Sequence, residues 1–294
     1  MARPTILVTG ASGQVGFELA RSLRQHGDVN APDRTALDLA DADSIVAAVR
    51  GLRPNLIVNA GAYTAVDLAE KEHGVAFALN ARAPGILAEE AKRLDAVLIH
   101  YSTDYVFDGM ATVPYAEDSP ATPLNVYGAS KLAGERAVAQ TGARAVMLRT
   151  SWVYGARGRN FLLTMLRLAE DRDELRVVAD QHGTPNWCRT LSAATVAIVA
   201  RGLPWLADRS GLYHMTSAGA TTWYGFARAI VGDVPRPRVV PIPTSEYPTP
   251  ARRPAYGVLS SRKFETTFDY PLPDWRDELA ACRSGMLADA RTPD

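Results

Sequence analysis

Two short groups of residues, widely separated in the chain, carry chemistry when read as a pair. Tyr127 and Lys131 stand four apart, which on a helix puts both side chains on one face. A free phenol titrates near pH ~10, and an ammonium beside it favours the phenolate and lowers that value. Such a tyrosine can exchange a proton with a substrate oxygen near neutral pH. Thr103, at the end of an apolar run, can hydrogen-bond the same oxygen. The second group is Gly10-Ala11-Ser12-Gly13-Gln14-Val15-Gly16. Gly10 permits a sharp turn, Gly13 a close backbone approach to a pyrophosphate, and Gly16 tight packing of the next helix on the sheet. The helix opening around Ser12, Gln14 and Val15 offers free N–H groups and a positive dipole end to that anion.

Either group alone is weak. A bare Y-x-x-x-K is most often a pair on a solvated helix, and a glycine-rich turn is often only a turn. The spacing here is G-x-x-G-x-x-G in place of G-x-G-x-x-G. Their order joins them: a strand, a phosphate turn, then a Ser-Thr strand end followed by the tyrosine helix. Together they predict an oxidoreductase acting on a carbonyl or alcohol, with NADPH or NADH as cofactor. Thr103, Tyr127 and Lys131 are the catalytic candidates, and Tyr127 and Lys131 can also hold the nicotinamide ribose.

The elements around these groups read as an α/β protein. Ile6 to Thr9, Leu56 to Asn59, Val97 to Ser102 and Ala145 to Arg149 are short, nearly continuous apolar runs, as strands covered on both faces must be. Val29 to Ala31 is a shorter candidate. Val15 to His26, Ser44 to Arg50 and Val75 to Leu94 carry helical spacing between them. This alternation predicts a Rossmann-type, doubly wound parallel sheet with a smaller C-terminal substrate-binding region.

After Trp152 the rhythm changes. Phe161 to Glu170 and Leu191 to Arg201 read as helices, and Leu175 to Val178 and Gly211 to Met215 as strands. The expected division is a cofactor domain at 1–152, to which 190–215 returns, and a substrate region at 153–189 and 216–294. Pro235 to Pro254 holds seven prolines, which excludes a helix or a central strand. It is either a linker or a structured loop lining a site. Tyr247, Arg252, Arg253 and Tyr256 favour the loop. The end of the chain, from Leu287, is expected to fray.

The second strand should deliver a polar group to the cofactor ribose. Asp33 can accept from the ribose hydroxyls, which favours NADH; its neighbour Arg34 can pair with a 2′-phosphate, which favours NADPH. An exposed Asp-Arg pair in a loop accounts for them equally well. Asp38 and Leu39 are placed to flank the adenine. Ala60, Gly61 and Ala62, with Tyr63 after them, are small enough for a cofactor to lie across the strand ends.

Bulk properties exclude several classes. Lysine plus arginine balance aspartate plus glutamate, 32 against 32, so no charge excess argues for nucleic acid. No apolar run approaches the length of a membrane span. The N-terminus enters its first strand too early for a signal peptide. Cys188 and Cys282 lack metal-ligand spacing and read as free thiols in a reducing cytoplasm.

Longer stretches carry a resemblance. Asn59 to Glu70 (NAGAYTAVDLAE), Ser102 to Phe107 (STDYVF), Pro123 to Lys131 (PLNVYGASK), Arg149 to Tyr154 (RTSWVY) and Pro243 to Pro254 (PTSEYPTPARRP) resemble the extended short-chain dehydrogenase/reductases. Within them they are similar to the dTDP-4-dehydrorhamnose reductase family, over nearly the whole chain. The resemblance implies reduction of the 4-keto group of dTDP-4-dehydro-β-L-rhamnose to dTDP-L-rhamnose, for cell-surface polysaccharide. It implies Tyr127 as proton donor, Lys131 as its electrostatic partner and Thr103 orienting the keto oxygen. Asp104 and Tyr105 would lie near the sugar, and Asn160 and Arg252 would contact the diphosphate. Trp152 is either an apolar wall beside the substrate or a core tryptophan. Some members of the family bind magnesium between glutamates at a dimer interface. Glu18 matches one such position, but Cys188-Arg189 stands where an acidic residue would follow. No metal is expected, and the chain is a monomer or a homodimer.

Neighbouring activities are less well served. A sugar-nucleotide dehydratase reads Thr-Asp-Glu at the strand end, where this chain has Thr103-Asp104-Tyr105, and tyrosine is a poor base at neutral pH. An epimerase of the same superfamily remains possible on these residues. The regulatory subunit of methionine adenosyltransferase resembles the family too and would bind cofactor without turnover. The intact Thr103, Tyr127 and Lys131 set argues against that role.

Overall fold

Alternate residues of the first strand enter two different cores. Ile6 and Val8 pack on one side of a sheet with Leu19, Leu191 and Ile198, while Leu7 packs on the other with Ile45, Leu87 and Val138. A strand buried on both faces has no room for polar alternation, which is why these runs are continuously apolar. In the computed structural model, residues 3–232 and 235–289 are described.

The order of elements is β1 (Thr5–Thr9), α1 (Gln14–Ser22), β2 (Asp28–Asn30), α2 (Ala42–Leu52), β3 (Leu56–Asn59), α3 (Val66–Ala69), α4 (His73–Phe77), α5 (Ala83–Arg93), β4 (Val97–Thr103), α6 (Val126–Thr141) and β5 (Ala145–Thr150). There follow β6 (Val153–Tyr154), α7 (Phe161–Asp171), β7 (Glu174–Val178), β8 (His182–Gly183), β9 (Asn186–Trp187), α8 (Cys188–Ala200), α9 (Leu203–Ala207), β10 (Gly211–His214), β11 (Thr221–Thr222), α10 (Trp223–Val231), β12 (Arg238–Ile242), α11 (Arg262–Phe268) and α12 (Trp275–Asp289).

Six strands form one parallel sheet in the order β10-β5-β4-β3-β1-β2. β1 therefore has β2 on one side and β3 on the other, and the direction of winding reverses there. Open parallel sheets bind ligands in the crevice outside the carboxyl ends of the strands at such a reversal. β10 returns to the sheet by pairing with β5, Gly211 opposite Val146. A separate core, built on Tyr154, Leu162, Phe226 and Trp275, supports the elements after β5 that do not join the sheet.

Three stretches differ from the sequence expectation. The helical run expected from Val75 to Leu94 is broken by a π turn, Ala78–Arg82, between α4 and α5. It buries Asn80, whose amide accepts from Tyr63 N at 2.8 Å and donates to Tyr63 O and Ser130 Oγ, both at 3.0 Å. The proline-rich segment holds a strand after all. β12 pairs in parallel with β7 alone, so Pro241 sits in a two-stranded ribbon where the absence of its N–H is tolerated. α12 runs to Asp289, past the position where fraying was expected; residues 290–294 lie outside the described residues. Among the described residues, no helix is long and apolar enough to cross a membrane.

Candidate active site and cofactor cradle

Helix α6 is fixed at its start by two side chains and one close backbone approach. Its N-cap Asn125 accepts from Gly128 N at 2.8 Å and donates to Arg252 O at 2.8 Å, tying the proline-rich loop to the helix. Glu70 accepts from Val126 N at 2.8 Å. A Cβ on Gly128 would lie 2.1 Å from Tyr105 O, so only glycine lets the helix approach the turn after β4 this closely. Tyr127 is thereby brought to Thr103, with which it shares a hydrogen bond, and edge-on to the Tyr105 ring at 5.5 Å.

The electrostatics correct one expectation. Lys131 is buried and its Nζ donates to Tyr101 O at 2.6 Å. Its ammonium does not bring the Tyr127 phenol below its ordinary value. Burial dominates, pushing Tyr127 up to about 12 and Lys131 down to about 8. Tyr127 is a protonated phenol throughout the physiological range, the form that gives a proton away. Asp104 lies beside it, 2% exposed. Its Oδ1 accepts from Thr103 Oγ1 at 3.0 Å, and its buried Oδ2 has no partner. Burial pushes this carboxyl up to about 7. An orphaned oxygen there suits a ligand that brings a hydrogen-bond donor.

The cofactor turn fits its expected group. Gly10 has φ +70°, and a Cβ on it would fall 2.6 Å from Gly61, so the turn is seated directly on the end of β3. Gly13 N donates to Gly10 O at 2.9 Å. Gly13 caps α1 without a side chain, so no side-chain oxygen claims the N–H groups of the first turn. A Cβ on Gly13 would meet only Gly10 O, at 3.2 Å, leaving the approach to those N–H groups open. A Cβ on Gly16 would lie 2.1 Å from Gly10 O, so that glycine is needed for packing. Ser12 lies exposed on the same turn and Val15 is half-buried.

The remaining cofactor candidates fall on the same edge. Leu39 covers Gly61, where a Cβ would fall 2.4 Å from its Cδ1. Ala60 and Ala62 flank that glycine, and Tyr63 donates from its hydroxyl to Glu72 Oε2 at 2.6 Å. Asp33 Oδ1 is engaged within its own loop, accepting from Thr35 N, Thr35 Oγ1 and Ala36 N at 2.9, 2.6 and 3.1 Å. Arg34 is 81% exposed and its Nε lies 3.5 Å from Asp38 Oδ2.

Substrate candidates divide. Trp152, with φ +42°, stacks on Trp223 and leans over Gly183, where a Cβ would fall 2.4 Å from the indole. Trp223 lines a cavity of about 790 Å³ together with Asp67, Tyr105, Phe161, Tyr247 and Arg253. Its size suits a nucleotide-sized ligand. Arg253, not Arg252, enters this cavity. It is held by Asp67 through two bonds of 2.7 Å, while the Arg252 side chain is exposed and only its carbonyl is used. Asn160 caps α7, accepting from Leu163 N at 3.1 Å, and its Nδ2 donates to Gln14 Oε1 and Gly155 O at 2.9 Å and Arg157 O at 3.0 Å. With those bonds made, its amide is occupied by structure. Asn80, Asp67, Trp223 and Arg253 were not singled out as site residues by spacing or motif; only Arg253 carried a signal, as the neighbour of Arg252 in the proline-rich loop.

Among the described residues no cluster of His, Cys, Asp and Glu could hold a metal ion. Arg189 Nε lies 3.5 Å from Glu18 Oε2, so this glutamate already has a cationic neighbour.

Comparison with known proteins follows the same lines. Residues 4–287 match the family described as the RmlD substrate binding domain. A dTDP-4-dehydrorhamnose reductase of Burkholderia thailandensis is 49% identical, over 96% of this chain and 99% of that protein. One from Escherichia coli K12 is 43% identical, over 92% and 94%. The crystal structure of dTDP-4-dehydrorhamnose reductase from Bacillus anthracis in complex with NADP superposes with a TM-score of 0.89, at 33% identity, over 97% of this chain and 100% of that one.

Proposed function

We propose, for a chain that belongs to the RmlD substrate binding domain family, that it reduces the 4-keto group of dTDP-4-dehydro-β-L-rhamnose to dTDP-L-rhamnose with NADPH or NADH. Near full-length identity to reductases of that name supports the reaction. The observation that carries the chemistry is the half-buried Tyr127 against the buried Thr103, one helical turn from the buried Lys131 ammonium.

A reduced nicotinamide held in this cradle would supply the hydride to the keto carbon. The chain's own residues do the rest. Thr103 fixes the keto oxygen against the phenol. Tyr127 gives its proton to that oxygen as the carbonyl becomes an alcohol, and the phenolate left behind is balanced by Lys131. The high phenol value suits a donor in this direction, because Tyr127 never loses its proton prematurely. Gly10, Ser12, Gly13, Gln14 and Val15 would receive the pyrophosphate, with Asp33, Arg34, Asp38, Leu39 and residues 60–63 along the adenosine half. Asp104, Tyr105, Trp152 and Arg253 would face the nucleotide sugar. The cofactor lobe comprises 1–152 with 190–215, and the remainder receives the substrate. Two free, buried thiols suit a reducing compartment, which supports a cytoplasmic location.

The test is loss of reduced-nicotinamide absorbance when the purified protein meets dTDP-4-dehydrorhamnose made in situ from dTDP-glucose. Turnover with dTDP-rhamnose as product is expected. Tight NADPH binding with no turnover would replace this reading with a non-catalytic, cofactor-binding role.

A further inference from the structure

Helix α6 presents a third ionisable residue in register with the catalytic pair. Tyr127, Lys131 and Glu135 follow at intervals of four and share the face turned to β4. Each is seated on that strand: Tyr127 on Thr103, Lys131 on Tyr101 O at 2.6 Å, and Glu135 on Ser102 Oγ, which donates to it at 2.5 Å. Glu135 is 4% exposed. Arg149, from β5, grips it with both forks, Nε to Oε1 at 2.8 Å and Nη2 to Oε2 at 2.6 Å.

Arg149 is thus paired directly with the buried carboxylate, and the Lys131 ammonium, one turn away on the same helix face, feels that charge without touching it. A buried ammonium sheds its proton unless a charge of opposite sign stands near, whereas a guanidinium does not. Lys131 is the member of the three that must yield if the balance fails. Most other groups around it supply no free negative charge. His100 of β4 and His214 of β10 are kept neutral by burial, Tyr101 and Tyr127 are protonated phenols, and Arg82 is exposed. On α3 and its end, Asp67 is bound to Arg253 and Glu70 to Val126 N. Asp104, bonded to Thr103 through one oxygen, carries charge above about 7, equally in every variant below.

We propose that Glu135 is a positioning residue that keeps Lys131 in its ammonium form, with Arg149 limiting how much of the carboxylate's charge Lys131 receives. This rests on the role given to Lys131 above. Burial holds Lys131 down at about 8, and the Glu135 charge opposes that fall. The Lys131 proton is therefore the one lost first on the alkaline side, and Glu135 sets where.

The two neighbours of Lys131 must act in opposite directions, which a merely structural role would not produce. Glu135→Gln should move the alkaline limb of the kcat profile down by about one pH unit or more, the scale of a close charge. Arg149→Met, which frees the carboxylate for Lys131, should move it up. Glu135→Asp should restore the limb toward wild type. The chain has four lysines, Lys71, Lys92, Lys131 and Lys263, so the titration of [13C]lysine-labelled protein with NADPH bound can be read directly. The Lys131 resonance is the one lost in Lys131→Met. If Glu135→Gln does not fold, the Arg149→Met midpoint decides alone. Lys131 midpoints and kcat limbs that coincide with wild type in these variants, while Lys131→Met abolishes turnover, overturn this inference and leave the reaction standing. Full activity in Lys131→Met overturns the role of Lys131 itself.

Discussion

Trp152 and Trp223 stack face to face, ring centroids 3.6 Å apart and planes within 9° of parallel. Trp152 does so with a left-handed backbone, φ +42°, which a side-chain-bearing residue accepts only where its surroundings fix it. Gly183 beneath and Trp223 above provide that constraint. Such strain collects at functional sites, and Trp223, though not Trp152, lines the cavity, so the pair is proposed as part of a substrate wall.

Removing the upper ring tests this. Aromatic pairs contribute about 0.5–1.5 kcal/mol beyond burial. Trp223→Ala should therefore raise KM for the nucleotide sugar about 2- to 10-fold and change kcat less. Steady-state kinetics at fixed NADPH read the split, and an unchanged KM would remove the stack from substrate recognition.

The phenol is tested by Tyr127→Phe. It deletes the transferable proton and leaves the ring against Tyr105. We expect kcat to fall at least ~100-fold with NADPH affinity intact. Near-full kcat would assign the proton to another group.

Two glycines of one turn should fail differently. Gly13→Val meets little protein and occupies the approach to the α1 N–H groups, so NADPH affinity should collapse with Tm little changed. Gly16→Val would drive a side chain into Gly10 O, so Tm itself should fall. Thermal melts with and without NADPH separate the two, and equal Tm losses would make Gly13 a packing residue.

Asp104 makes stability depend on pH. Its carboxyl holds a proton up to about 7, above the unfolded value of 3.8, so the folded state binds more protons between those values. Stability from this group is fully present below about pH 4 and is lost as pH rises through 7. Asp104→Asn removes the penalty. The Tm advantage of the variant should widen from pH 5 to pH 8; a constant difference would mean that Asp104 is ionised throughout.

Arg34→Ala should weaken NADPH more than NADH, because its guanidinium is exposed and held only by a distant Asp38. Equal changes in the two dissociation constants would return it to a solvated loop.

Much of this arrangement was legible in the residues. The runs at Leu56 to Asn59 and Val97 to Ser102 could be read because strands buried on both faces carry no polar interruption. The glycine-rich turn was legible because three glycines have three separate steric duties. What escaped depended on distant partners. Nothing local says that Asn80 will reach Tyr63 and Ser130, that Trp223 will lie over Trp152, or that of two adjacent arginines the second meets Asp67. The Tyr127 value escaped for the same reason. Spacing places an ammonium near a phenol, while the degree of burial, which dominates, belongs to the whole fold.

The wide turn at Ala78–Arg82 has a consequence of its own. A regular α-helix through these residues would make better hydrogen bonds along the axis, and one residue fewer would restore it. Each residue, however, rotates the following side chains by about 100°. The regular helix would carry Asn80 away from both the Tyr63 loop and Ser130, the residue directly before Lys131. The chain forgoes local regularity to let a single amide brace the cofactor edge and the proton-donor helix together. The irregularity is thus a joint between two halves of the chemistry, and an attempt to stabilise the helix by shortening it would uncouple them.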